Sequence, residues 1–238
     1  MKNGFPGFSE EAFTFLRSLE KNNHRDWFQA HKHDYERLVR QPMVDLVHAV
    51  NGELAKFAPD YIHEPERAIY RIHRDTRFSA DKTPYKTHIA AVFPKRGHQK
   101  HSCAGFYFSV SPKELEVAGG VYLPPPENLL AIRRHIAAHY GELRRILNSQ
   151  RLAALMGKLQ GEQLTRAPKG FPPDHPACDL IRYKQWLFYV LLEPQIALTR
   201  QLLPEILNRF RAMSPFVEFL NRPLEREKAV LTPERFLS

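Results

Sequence analysis

Residues 105–122 read "GFYFSVSPKELEVAGGVY", and apolar residues alternate with polar or small ones on either side of a short turn. Phe106, Phe108 and Val110 interleave with Gly105, Tyr107 and Ser109, and Leu115, Val117 and Val121 keep the same period. Successive side chains of a strand point to opposite faces. Residues 105–110 and 114–122 are therefore expected as strands, each with one face toward a core. Ser111-Pro112-Lys113 between them is a link of hairpin length. Only antiparallel neighbours join so tightly, because a parallel pair needs a crossover of about a dozen residues or more. Gly119-Gly120 interrupts the second strand and predicts a bulge, or close approach by another backbone or a ligand.

Outward from this hairpin the same period continues. Residues 68–74 and 87–93 read as two strands upstream, and the aromatic and β-branched run 186–192 reads as one downstream. About five strands in a central, mainly antiparallel sheet follow, with longer joins at 75–86 and 94–104, where the charge sits. The flanks change period. Ser9 can cap a first helix, with Glu10 and Glu11 near its positive end. Ala12, Phe15, Leu16 and Leu19 then make one buried face. A second helix carries Trp27, His31, Tyr35 and Leu38. A third is expected to start at Pro42, which suits a first turn, and to end at Ala58-Pro59. After the stop Pro124-Pro125-Pro126, residues 127–140 read as a helix, and further helices are expected over 194–220. Residues 166–176, "RAPKGFPPDHP", are a Pro/Gly loop. Helices, then strands, then helices is the α+β pattern.

The chain has 238 residues and is 43% hydrophobic, enough for one sizeable core. A single domain over 1–238 is expected: a helical segment 1–60, a sheet with a basic loop over 67–123, and a mainly helical half over 126–238. No stretch approaches the roughly 18 apolar residues of a membrane helix. The start "MKNGFPGFSEEAF" has no apolar signal core. Two distant cysteines, Cys103 and Cys178, fit no metal or redox spacing. A cytoplasmic protein is the expectation.

The charge is concentrated. Residues 67–100 hold nine Lys/Arg against two acids, so this window carries +7 of the chain's +9. Its centre is "RIHRDTRFSADKTPYK", residues 71–86. A regular strand there would put Arg71, His73 and Asp75 on one face and Tyr70, Ile72 and Arg74 on the other. Pro84 prevents a normal ladder beyond it. Arg77, Asp81, Lys82, Tyr85 and Lys86 then come from a loop that can fold back over Arg71. Arginine's planar fork suits phosphate or carboxylate. The other reading is a structural ion network, with Asp75 bridging Arg71 and Arg77 and with Asp81 and Lys82 pinning the loop.

This stretch resembles the signature RxxRDxRFxx[DN]KxxY of a bacterial family catalogued as domain of unknown function 2461. The matching residues are Arg71, Arg74, Asp75, Arg77, Phe78, Asp81, Lys82 and Tyr85. "LEKNNHRDWFQAHKHDY" (19–35), "AGGVYLP" (118–124) and "PKGFPPDHP" (168–176) are similar to other segments of that family, so the resemblance covers nearly the whole chain. It implies a single-domain bacterial protein and brings no catalytic assignment.

Other signals are weaker. Asn22 and Asn23 read first as helix caps, with a pocket lining as the alternative. His135 and His139 are spaced i, i+4, but Ile136 stands where a zinc-protease helix has Glu. His98, His101 and Cys103 lie close together in a loop without a second pair, and no metal site is assigned. There is no phosphate loop, nucleophile elbow or dinucleotide fingerprint. Gly105-Phe106-Tyr107-Phe108 faintly echoes an RNA-binding sheet, without that signature's basic start.

The expected function is recognition of an anionic, phosphorylated ligand, as a binding protein or as a metal-independent enzyme without a cofactor. The expected ligand-binding residues are Arg71, Arg74, Asp75, Arg77, Asp81, Lys82, Tyr85 and Lys86, with Asp75 the candidate proton acceptor and Tyr85 a donor. The competing partner is nucleic acid, bound weakly and without sequence preference; no membrane partner is expected.

Overall fold

The computed structural model describes residues 4–77 and 79–230. In chain order these form α1 (Glu10–Lys21), α2 (Arg25–Ala30), α3 (Lys32–Asp34), α4 (Gln41–Leu54), α5 (Pro65–Ala68), β1 (Ile89–Pro94), β2 (Gly105–Val110) and β3 (Leu115–Val121). They continue with α6 (Pro126–Leu147), α7 (Gln150–Met156), α8 (Cys178–Ile181), β4 (Trp186–Leu192) and α9 (Leu202–Val230). The strands form one antiparallel sheet in the order β1-β2-β3-β4. The chain is α+β, as its periodicity indicates.

Four strands stand where about five were expected, and the shortfall is at residues 68–74. Ala68 ends α5, and the following residues meet the chain ahead of and within β1 at two isolated antiparallel bridges, Ile69–Ala91 and His73–Tyr85. Residues 70–72 lie between the bridges on one side and residues 86–90 on the other. Three residues cannot ladder evenly against five, so hydrophobic alternation survives there without a regular strand.

The third helix differs as well. Helical structure runs unbroken from α3 through a π-helical turn, Tyr35–Arg40, into α4. The Gln41 N–H reaches back to the Glu36 carbonyl, the wide i→i+5 register. Pro42, which has no N–H, follows this change of register instead of opening a new helix. In α6 the helix continues past Tyr140 to Leu147 through a kink at His139. α9 runs to Val230 with Pro215 and Pro223 inside it.

By internal contacts the chain divides into two compact units. The first comprises Met1–Phe93, Tyr107–Val117 and Val190–Asn208. Ser9 caps α1 by accepting from the Ala12 N–H at 3.3 Å, and Leu19, Met43, Leu46 and Val50 are fully buried. Phe93 stacks on Phe108 with ring centroids 6.0 Å apart. The second unit comprises Pro94–Phe106, Ala118–Tyr189 and Arg209–Ser238. Here Phe106 stacks on Phe210 at 4.7 Å, and the buried Trp186 donates its indole N–H to the Leu180 carbonyl at 2.9 Å. The buried Phe106 and Phe108 are core residues, not a base-stacking platform. The glycine pair is explained by close approach. A Cβ on Gly119 would meet Met213 Sδ at 2.8 Å, and one on Gly120 (φ +128°) would meet the Trp186 carbonyl oxygen at 2.1 Å.

Candidate functional site

Residues 69–86 form an arm, and its apolar and backbone groups hold it in place. Besides the two bridges, the Arg74 N–H donates to the Pro84 carbonyl and the Lys86 N–H to the Ile72 carbonyl, both at 2.8 Å. Ile72 is buried, as is Tyr85, whose ring stacks on Phe28 at 4.2 Å. The Asn23 amide clasps the backbone of Tyr85, donating to its carbonyl at 2.9 Å and accepting from its N–H at 3.0 Å. This is the pairing another strand would supply, made by one side chain. Asn22 instead donates to the Ser18 carbonyl at the end of α1, and His24 caps α2. The pair therefore splits its work between a helix end and the arm. Tyr85 is placed as an anchor, with its ring against Phe28 and His73.

The charges lie on the outside. Arg71, His73 and Asp75 are exposed while Ile72 is buried and Arg74 half-buried, so the expected alternation holds despite the irregular pairing. Arg77 forks onto Asp75, Nε to Oδ1 at 3.0 Å and Nη2 to Oδ2 at 2.7 Å, with 77% of the arginine side chain exposed. Arg74 reaches Asp81 and the Thr83 hydroxyl. Asp81 also accepts from the Thr83 N–H at 2.9 Å. Lys82 donates to the Thr76 carbonyl at 2.9 Å and Lys86 to the Arg71 carbonyl at 3.1 Å. Asp81 is thus partnered by Arg74, not by Lys82. Arg71 makes no side-chain hydrogen bond or ion pair among the described residues. Phe78, the remaining signature residue, lies outside the described residues.

These contacts set the chemistry. Hydrogen bonds from the Arg77 side chain and then its backbone N–H hold Asp75 down at about 2. The Thr83 N–H, followed by Arg74, does the same for Asp81, also at about 2. Carboxylates so acidic are fully ionised and weakly basic at neutral pH. Asp75 is thus suited to orienting Arg77 more than to taking a proton. Burial, and then Arg71, lower the Lys86 ammonium.

Sequence reasoning passed over a half-buried polar row in the same unit. Lys86 Nζ lies 5.0 Å over the ring of Tyr70, which meets Tyr107 edge-on at 6.3 Å. The Ser111 N–H bonds the Glu114 carbonyl at 3.1 Å, and that register places Ser109 opposite Glu116. Burial lifts Tyr107 to about 12 and, with Glu114, raises Glu116. The signal was available in the alternation itself: Tyr107 and Ser109 occupy the positions between the core phenylalanines. Among the described residues no group of three or more His, Cys, Asp or Glu could hold a metal ion. No helix among them is long and apolar enough to cross a membrane.

The arm's signature falls inside a match to the family model of a conserved hypothetical protein, DUF2461, which spans residues 11–219. The chain belongs to the DUF2461 family. The family match takes in α1 through most of α9, including the whole arm. No curated protein and no solved structure matches the chain.

Proposed function

We propose that the outer face of the arm recognises a phosphate-containing small anion, with Arg71 engaging it first and Arg77 second. The observation that carries this reading is Arg71, an exposed guanidinium with no acceptor among the described residues, beside the exposed Asp75–Arg77 fork. Asp75 holds the guanidinium of Arg77 in a fixed plane, as bidentate recognition of a phosphate requires. Arg74, Asp81 and Lys82 stiffen the loop behind it, and Lys86 adds positive charge at its base. Tyr85 and Asn23 anchor the arm, so the charged residues are not needed to hold it. Exposed ion pairs contribute little to stability and exchange readily with an incoming anion.

The test is thermal unfolding of wild type, Arg71→Ala and Arg77→Ala against inorganic phosphate, sulfate, phosphorylated metabolites and short oligonucleotides. A ligand bound only by the folded state raises Tm. Phosphate-containing small molecules are expected to raise wild-type Tm, and both variants should show a smaller rise although they keep the basal Tm. No rise with any anion at millimolar concentration, or an equal rise in Arg71→Ala, overturns the reading. Oligonucleotide binding that stays tight at high salt would move the assignment to nucleic acid, because phosphate-only contacts weaken steeply with salt.

A further inference from the structure

We propose that the second unit carries its own anion site, a cavity between α6 and α9 that takes a small phosphomonoester-type oxyanion. The cavity measures about 280 Å³. That approaches the lower end of small-molecule pockets, about 300–1,000 Å³, and is too small to follow a nucleic-acid strand. α6 contributes Arg134, His135 and His139, with Ala131 and Ala138 leaving room between them, and α9 contributes Arg222 and Pro223. All four polar side chains can donate N–H groups, and among the described residues no carboxylate lines the cavity. The acids nearby are already engaged. Glu142 is forked by Arg222, with Nη1 to Oε2 at 2.9 Å, while Glu218 and Glu225 are held by Lys95.

Two features mark the cavity as built. Arg222 is fixed from two sides, by Glu142 and by the Phe219 ring 5.3 Å from its guanidinium carbon, so a ligand need not order it. Arg134, exposed on the opposite helix, makes no hydrogen bond or ion pair among the described residues. The backbone departs from helical geometry at His139, with φ −129° and ψ 27°, inside α6 at a residue that is neither Gly nor Pro. The kink falls in the cavity wall. On the other wall Pro223 removes a helical N–H from α9 at the same cavity. The two imidazoles lie 4.5 Å apart at 47°, their rings tilted instead of stacked.

The test is a titration of the full chain with inorganic phosphate, with chloride holding the ionic strength constant, read by the ring C–H resonances of His135 and His139. Both should move saturably in wild type and in Arg71→Ala, which separates this site from the arm. Arg134→Gln, an exposed change that keeps the side-chain stem, should weaken phosphate by about tenfold, the scale of one charged hydrogen bond. Arg222→Lys keeps the charge beside Glu142 but loses the fork, and a similar weakening is expected. The proposal is overturned if the two resonances do not saturate in wild type, or if phosphate moves them in Arg134→Gln and Arg222→Lys with wild-type affinity.

Discussion

In the connection that precedes β1, Arg77 is tied to Asp75 at the surface with 77% of its side chain exposed. In the connection that follows β1, Lys95 is 13% exposed and held between Glu218 and Glu225. Both belong to the same basic window of the sequence. Each connection also has an asparagine clasp: Asn23 around Tyr85 in the first, and Asn221 around Ala104 in the second, where both bonds are 2.9 Å and fully buried. The difference lies in where the acceptors sit. Burial pulls the Lys95 ammonium down, but its bonds to Glu225 and Glu218 more than offset this and leave it raised. Lys95 is therefore committed to a structural triad, whereas Arg74, Arg77, Lys82 and Lys86 bond acceptors of the arm itself. Basic composition alone does not separate the two roles; the burial of the cation and the sequence distance of its acceptors do.

The largest effect expected from this contrast is at Asn221. Asn221→Ala leaves both the N–H and the carbonyl of buried Ala104 without the partners they now have. Each orphaned buried group costs about 1–3 kcal/mol, so a loss of about 2–4 kcal/mol is expected in urea unfolding. Asn221→Asp should not rescue it, because the carboxylate cannot donate to the carbonyl. A loss below about 1 kcal/mol, the net worth of an ordinary hydrogen bond, would break the comparison at its firmest point. Next comes Lys95→Met, which leaves Glu218 and Glu225 facing each other without the cation. Because both glutamates are partly exposed, about 1–2 kcal/mol is expected, well under the cost of breaking a fully buried pair. Added salt should shrink the penalty. Asn23→Ala should cost about 1 kcal/mol, since its clasp is only partly buried. Amide exchange at Tyr85 and Lys86 should accelerate while that of β2 does not.

Much of this architecture was legible in the chain, and the reasons for the exceptions are physical. The hairpin of β2 and β3 could be read from alternation because one face of each strand is buried and the turn between them is short. The arm's alternation was equally legible, but its pairing was not, since the offset between the Ile69–Ala91 and His73–Tyr85 bridges leaves no trace in hydrophobicity. Pro42 reads as a helix start because the π turn before it has no composition of its own. At the candidate site the residue types were visible and their partners were not. Whether Asp81 meets Lys82 or Arg74 depends on how the loop closes. Whether Lys95 is committed depends on glutamates more than a hundred residues away in sequence. The Asn23 clasp leaves no local signal for the same reason, its partner Tyr85 lying 62 residues away.

The smallest effect on stability, and the sharpest on chemistry, is expected at Arg77. Its fork to Asp75 is exposed and screened by solvent, so Arg77→Ala should lower the urea midpoint only slightly, by less than Lys95→Met. The Asp75 carboxyl should nevertheless climb from about 2 toward its ordinary value of 3.8, because the first two causes of its depression both come from Arg77. Arg71 and the retained backbone N–H of residue 77 should keep it from climbing the whole way. The sign of the linked stability follows. A carboxyl held below its unfolded value stabilises the fold above that value, and the contribution disappears as pH falls through the folded value. In wild type the window therefore runs from about pH 4 down to about pH 2, and Asp81 shares it. Removing Arg77 should narrow the Asp75 part of that window and leave the Asp81 part unchanged, since the Thr83 N–H and Arg74 are untouched. Carboxyl-carbon titration of both aspartates by NMR reads the two separately. If Asp75 stays near 2 in Arg77→Ala, a different group orients it, and the assignment of Arg77 as its exchangeable partner at the ligand face is wrong. If the urea midpoint also drops by as much as in Lys95→Met, the two connections use their charges alike, and burial of the cation is not what distinguishes them.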